Sequence, residues 1–437
     1  MIGAALGRAL WAGVDPDGMF RRHAGDTAPF TVRFPGLGTV RFFTTEDGVR
    51  DILTAPTTLC RAPLPNPIEP VVGERSLILL SGEPHRQTRA LLTPPFRGEL
   101  MRRYVDLIAQ STHQAVAGVR PGDRFPAARV AQAITLDVVI RVVFGVTDSA
   151  RRDRFAAVTS RLLDSGSAPL MLVPWLRRDI GGRGPWARLV SARDELDRLL
   201  ADEIAERRAG GENNGDILDL ILAASDEQGN EQGDGRSDDA LHSQLRTMLA
   251  AGHETTSTTL AWALHHIHRD DDVRRRLVDE LAGAATPADL AALPYLNAVI
   301  QETLRMHPAV PIVLRRLAGP LTVAGHPCGT GDIVGIALPA VHFSPQLWQD
   351  PGAFDPRRFL DGKPSPFRYA PFGGGFRRCI GAAFAQTELA VAIGTLLATV
   401  DLRQPAGEGG RRAPRSVPRG IATRPSREIL LDVIARR

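Results

Sequence analysis

The greatest chemical potential in this 437-residue chain is gathered in PFGGGFRRCIG, Pro371 to Gly381. Four glycines, two arginines and one of only three cysteines share that stretch. Helical periodicity resumes directly afterwards in IGAAFAQTELAVAIGTLLATV, which sets Cys379 at or just before a helix N-terminus. The positive end of that helix and the amides of a glycine-rich turn favour a thiolate, which is both nucleophile and metal ligand. Amides that donate to a ligating sulfur also tune the potential of the metal. A nucleophile needs a base, and no histidine stands near. A lone cysteine is more often structural, but the basic, glycine-rich setting argues for chemistry here.

A second concentration is AAGHETTSTT, residues 250–259, in the middle of a long helical pattern. Gly252 costs a helix about 1 kcal/mol relative to Ala, and threonines are weak helix formers. Propensity is given up here while the flanks TMLAAG and LAWAL stay apolar. Glycine lets a ligand lie against the backbone, and a Thr hydroxyl bonded one turn back can bend the helix. Glu254 beside Thr255 suits the relay of a proton into a buried site. Thr258 and Thr259 are compatible with a wet face. Third is ETLR, in which Glu302 and Arg305 share a helix face. Most such pairs are solvated and weak, but Leu296, Val299, Ile300, Leu304 and Met306 leave this helix little wet surface. Arg358 in FDPRRF is placed to join them in a buried network.

The elements that must position these residues are mostly helical. FTVRFPGLGTVRFFTT, residues 30–45, reads as a hairpin, and 61–74, with four prolines, as a loop. The pattern predicts helices over 187–208, 271–283 and 293–306, and one from an N-cap at Ser237 to His268, about 48 Å long. Strand-like pieces fill 309–370. Composition is that of a globular protein, 43% hydrophobic and 23% charged, with a net charge of +4 from 53 basic and 49 acidic residues. That balance, with no basic run interleaved with aromatics, argues against a nucleic-acid binder. Lys363 is the sole lysine. Three distant cysteines suggest a reducing cytoplasm. The apolar N-terminus is too short to span a bilayer and lacks a basic start, so no membrane anchor is expected.

In combination and order, these motifs resemble those of the cytochrome P450 family, the haem-thiolate monooxygenases. FGGGFRRCIG matches F-x-x-G-x-R-x-C-x-G at Phe372, Gly375, Arg377, Cys379 and Gly381. AGHETT matches A-G-x-[DE]-T-[TS], ETLR matches E-x-x-R, and Arg358-Phe359 fits P-x-R-F. PHRQTR resembles an H-x-x-x-R helix carrying His85 and Arg89. VPIVLRRLA fits R-x-A, which favours Arg316 with Arg315 next.

The resemblance, strongest over 30–400, implies a mainly α fold with small β-sheets. It implies a single domain over 1–437, a long central distal helix, and a Cys-ligand loop before a proximal helix. It implies haem b with Cys379 as axial thiolate, and propionates held by His85, Arg89, Arg316 and Arg377. Ala251 and Gly252 would line an oxygen groove, and Phe372, Gly373 and Gly381 would flank the thiolate. Glu254 and Thr255 would deliver protons to dioxygen, while Glu302, Arg305 and Arg358 would be structural. Met248, Ala251, Val310, Ile312 and Val313, with loops 61–80 and 165–180, would wall an apolar substrate pocket. The implied reaction places one oxygen atom from O2 into a lipophilic small molecule. NAD(P)H electrons would arrive through a separate ferredoxin or flavodoxin and its reductase, with Arg378 in the docking surface and no reductase fused. A peroxide-driven peroxygenase, a non-catalytic haem sensor and a haem-free Cys hydrolase are the alternatives.

Overall fold

The computed structural model describes residues 15–98, 100–166, 170–171, 176–179, 181–210, 215–227, 236–407, 413–419 and 422–437. The apolar N-terminal stretch and parts of the 165–180 wall lie outside these. The helices that bear on the site are α1 (Glu46–Thr54), α2 (Gly82–Leu92), α3 (Leu100–Ala115), α4 (Ala127–Phe144) and α5 (Ser149–Ser165). They continue with α6 (Pro185–Arg208), α7 (Arg236–Arg269), α8 (Asp271–Leu281), α9 (Pro294–Met306) and α10 (Ala382–Thr399).

Helix α7 begins one residue before the predicted cap and runs 34 residues, about 51 Å. It crosses the interior, burying Leu245, Leu249, Leu260, Trp262, Leu264 and Ile267. Thr258 and Thr259 are buried with them, contrary to the wet face their polarity suggested. Back-bonding explains this: the Thr259 hydroxyl donates to the Thr255 carbonyl at 2.9 Å and needs no water. Helix α4 packs against α7, and Gly252 faces Val139 across that contact. A Cβ there would stand 3.2 Å from Val139 Cγ2. Of the described helices taken singly, only α10 is long and apolar enough to cross a membrane, and it is mostly buried among the others.

The predicted hairpin is β1 (Phe30–Phe34) with β2 (Gly38–Phe43). It extends into a five-stranded sheet ordered β1–β2–β8–β5–β3, with β3 Cys60–Arg61, β5 Ile312–Leu317 and β8 Ile333–Ala337. Only β2–β8 runs parallel. The Pro-rich stretch is more ordered than a loop: β3 pairs with β5, and Glu69–Val72 makes a helical turn. Smaller sheets contain β4 (Arg124–Pro126), the pair β6 (Leu321–Val323) and β7 (His326–Cys328), and the pair Ser416–Arg419 with Ala422–Pro425, the last of which packs on α7.

The segment leading to the cysteine loop hangs from α9. Glu302 and Arg305 are fully buried, joined by two forked hydrogen bonds, Nε to Oε2 at 2.6 Å and Nη2 to Oε1 at 2.8 Å. Arg305 then donates to the carbonyls of His342, Pro351 and Ala353. Arg358 closes the network, Nε to Glu302 Oε1 at 3.1 Å. His342 extends it: Nδ1–H donates to the Arg305 carbonyl, so Nε2 accepts from the Ala370 amide at 3.3 Å. Removing one partner of a buried, hydrogen-bonded charge pair typically costs about 3–5 kcal/mol. Arg305→Ala is therefore expected to lose a large share of the folding stability in thermal or urea melts, with Arg305→Lys intermediate because it lacks the fork. A melting temperature unchanged from the parent in Arg305→Ala would show the network to be incidental.

Candidate active site

A cavity of ≈ 620 Å³ separates α7 from the cysteine loop, and its walls are overwhelmingly apolar. Met248, Ala251, Val310, Ile312 and Val313 all line it. Phe372, Gly373, Cys379 and Gly381 form the wall opposite α7, where Ala251, Gly252, Glu254 and Thr255 stand. The glycines of the loop do separate jobs. Gly375 has φ +62°, and a Cβ there would overlap the Leu53 carbonyl at the end of α1. A Cβ at Gly374 would come 2.7 Å from Leu53 Cδ1. These two seat the loop on α1, while Gly373, with φ +64°, turns the chain beside the cavity.

Cys379 lies just ahead of α10, and its amide donates to the Phe372 carbonyl at 3.0 Å. The thiol is accessible, but what it faces is the cavity. Burial pushes its pKa above the usual thiol value, opposed by the Gly381 N–H and by Arg378 and Arg89. A cation bound against the sulfur would offset that burial and favour the thiolate. Among the described residues no three His, Cys, Asp or Glu side chains converge to hold a metal themselves, so the chemistry suits a metal that brings its other ligands with it.

His85 and Arg89, one turn apart on α2, Arg315 on β5 and Arg377 in the loop converge on the same cavity. No carboxylate pairs with any of them among the described residues, and the buried Nε atoms of Arg315 and Arg377 find no partner. Burial lowers the Arg315 and Arg377 pKa values to about 10. Burial, then Arg377, Arg89 and Arg315, lowers His85 to about 4 and keeps the imidazole neutral. Arg377 is steadied by the Ile78 and Leu80 carbonyls and Arg315 by the Leu314 carbonyl, which leave both charges unneutralised, and cations gathered on one cavity in this way suit carboxylates. Two propionates beside a metal over Cys379 fit that cluster, so the residues suit haem.

Arg316 does not belong to the cluster. Strand alternation turns it outward, where it donates to the Gly331 and Leu64 carbonyls at 3.2 and 2.9 Å. Arg315 faces inward instead, sharing a strand face with Val313.

On α7, the Thr255 hydroxyl donates to the Ala251 carbonyl at 2.6 Å. Glu254 is buried, and desolvation raises its pKa to about 7 against the opposing charge of Arg419. Arg419 Nε stands 3.4 Å from Glu254 Oε1 while its Nη2 reaches the exposed Asp164 at 2.9 Å. Neither Arg419, in a C-terminal hairpin without a motif, nor Asp164 carries a sequence signal for this role. His253 turns away from the cavity and bonds Thr135 through Nδ1 at 2.8 Å. Glu302, Arg305 and Arg358 are likewise absent from the cavity walls.

Comparison with known proteins agrees with this geometry. The family model for cytochrome P450 matches residues 46–431. Putative cytochrome P450 137 of Mycobacterium tuberculosis is 34% identical over 372 residues, 84% of this chain and 75% of that one. Putative cytochrome P450 135B1 of Mycobacterium bovis is 34% identical over 385 residues, 87% of this chain and 80% of that one. Among solved structures, a cyanobacterial CYP120A1 with bound retinoic acid superposes with a TM-score of 0.80 at 24% identity, covering 93% of this chain and 91% of the other. The P450DA haem domain follows at 0.76 and 24%, covering 94% and 89%. A cavity with a cysteine on one wall, an acid–alcohol pair on the other and an unpaired cation cluster at its side therefore has its explanation in ancestry: the chain belongs to the cytochrome P450 family of haem-thiolate monooxygenases.

Proposed function

We propose that this chain hydroxylates or epoxidises a lipophilic small molecule with one atom of O2, in bacterial secondary or lipid metabolism in the cytoplasm. Electrons come from NAD(P)H through a separate ferredoxin or flavodoxin and its reductase, and exposed Arg378 offers such an acidic partner a cation near Cys379. The observation that carries the reading is the placement of Cys379 and the Glu254–Thr255 pair on one apolar cavity. Cys379 would hold the haem iron and His85, Arg89, Arg315 and Arg377 its propionates, and the group so bound would supply the redox chemistry for dioxygen activation.

The protein's own part is proton management in a dry pocket. With a pKa near 7, Glu254 can both give and regain a proton at neutral pH. Its neighbour Thr255 must release the Ala251 carbonyl before its hydroxyl proton can turn into the cavity. Arg419 shares its charge between Glu254 and surface Asp164, so its position sets how readily Glu254 holds a proton. A relay of this kind serves O2 activation and has no use in a peroxide-fed enzyme, which favours the monooxygenase over the peroxygenase.

The dithionite-reduced, CO-treated protein is expected to show a strongly red-shifted Soret band, lost in Cys379→Ala; a band at the usual position in the parent would overturn the thiolate assignment. Thr255→Ala should still bind substrate but release peroxide in place of product, and unchanged coupling of NAD(P)H use to product would remove Thr255 from the relay. Activity should fall as pH rises through about 7, where Glu254 loses its proton. Since Arg419 lowers the Glu254 pKa, Arg419→Gln should move that limb to higher pH and Glu254→Gln should abolish it. Folding adds the same sign: native Glu254 holds a proton between 4.5 and about 7 that the unfolded chain has lost, so stability falls as pH rises across that window. A limb unmoved by either substitution would assign it to another group.

A further inference from the structure

The cavity contains a cation that neither the haem receptor nor the proton relay uses. Arg177 lines it, half-buried, well along the chain from α2, β5 and the cysteine loop. Two of its donors are fixed by its own segment, Nε to the Leu170 carbonyl at 3.2 Å and Nη2 to the Met171 carbonyl at 2.7 Å. Those bonds orient the guanidinium without neutralising it, since carbonyls carry no net charge.

No carboxylate among the described residues pairs with Arg177. The nearest acids on either side of it in sequence make their bonds elsewhere. Asp164, at the end of α5, takes Arg419 at 2.9 Å, and Asp179 accepts from the Gly182 amide at 2.7 Å. The neighbouring cavity walls are apolar, among them Leu163 and Met171. A guanidinium held by backbone alone against such walls, with part of its fork unused, is a half-built ion pair.

We infer that Arg177 is the specificity determinant of this pocket and that the substrate is an amphipathic lipid with a carboxylate head, which Arg177 clamps while the hydrocarbon body extends toward Cys379. The inference rests on the monooxygenase reading above and narrows its substrate to lipophilic acids. It also fixes regiochemistry in outline. With the head held at Arg177, oxygen enters at a carbon remote from the carboxylate.

The test is a binding series on the haem-loaded enzyme at pH 8, read both by the spin-state absorption shift and by equilibrium dialysis. The probes are hexadecanoic acid and abietic acid, each against its methyl ester, which keeps the apolar body and removes the charge. The parent should bind at least one acid roughly tenfold or more tightly than its ester. Arg177→Gln should bring acid and ester to within two- to threefold by weakening the acid alone, and Arg177→Lys should restore part of the preference. Equal affinities in the parent, failure of both acids to bind, or a preference that survives in Arg177→Gln would overturn the assignment. The red-shifted CO band separates the two layers: retained in parent and variant, it leaves the haem-thiolate reading standing whatever the acids do, and lost in the parent, it removes that reading first.

Discussion

Glu302 and Arg305 have no contact with solvent, and the chain from His342 to Ala370 is organised around them. Two charges taken out of water destabilise a fold unless each lone pair and each N–H finds a partner. Here the carboxylate is met by Arg305, Arg358 and the Asp355 amide, and the guanidinium by three carbonyls beyond its acid. His342 passes that rigidity to Ala370, two residues before Phe372. The cysteine wall of the cavity is thus fixed from a charge pair that never touches the cavity.

The cavity follows the opposite rule. Its charged groups are left incomplete, and the incompleteness carries the chemical information. Arg315 and Arg377 keep unpartnered Nε atoms beside the cavity they line. Glu254 keeps an oxygen without a hydrogen bond, 3.4 Å from the Arg419 guanidinium, and burial outweighs that charge to lift its pKa to about 7. The same low-polarity surroundings that make these groups expensive to bury make them responsive once a partner or a proton arrives.

Much of this was legible in the sequence because the constraints are local. The glycines, arginine and cysteine of Pro371 to Gly381 act within one turn, the acid–alcohol pair occupies adjacent positions, and Glu302 and Arg305 share a helix face. Helix α7 was readable for the same reason, its ends set by short-range signals. What was illegible depends on distant chain segments. Arg419 reaches Glu254 across more than 160 positions of sequence, and nothing in SVPRG announces it. Arg315 and Arg316 differ only in which face of β5 they occupy, which pairing with β3 and β8 decides. Thr258 and Thr259 look wet until the helix backbone is seen to take up the Thr259 hydroxyl.

Arg305 and Arg358 hold the stretch from His342 to Ala353 almost wholly through main-chain carbonyls: residues 342, 349, 350, 351 and 353 each offer one. Carbonyls are the same whatever side chain accompanies them. These particular bonds are blind to the side chains of the segment they anchor, and an exposed position there such as Gln349 owes them nothing, although Asp350, at φ +43°, is held by its left-handed backbone. Exchanging side chains at such positions can therefore invert the charge or reshape the relief of that surface at little thermodynamic risk, a freedom that the two arginines and their shared glutamate lack.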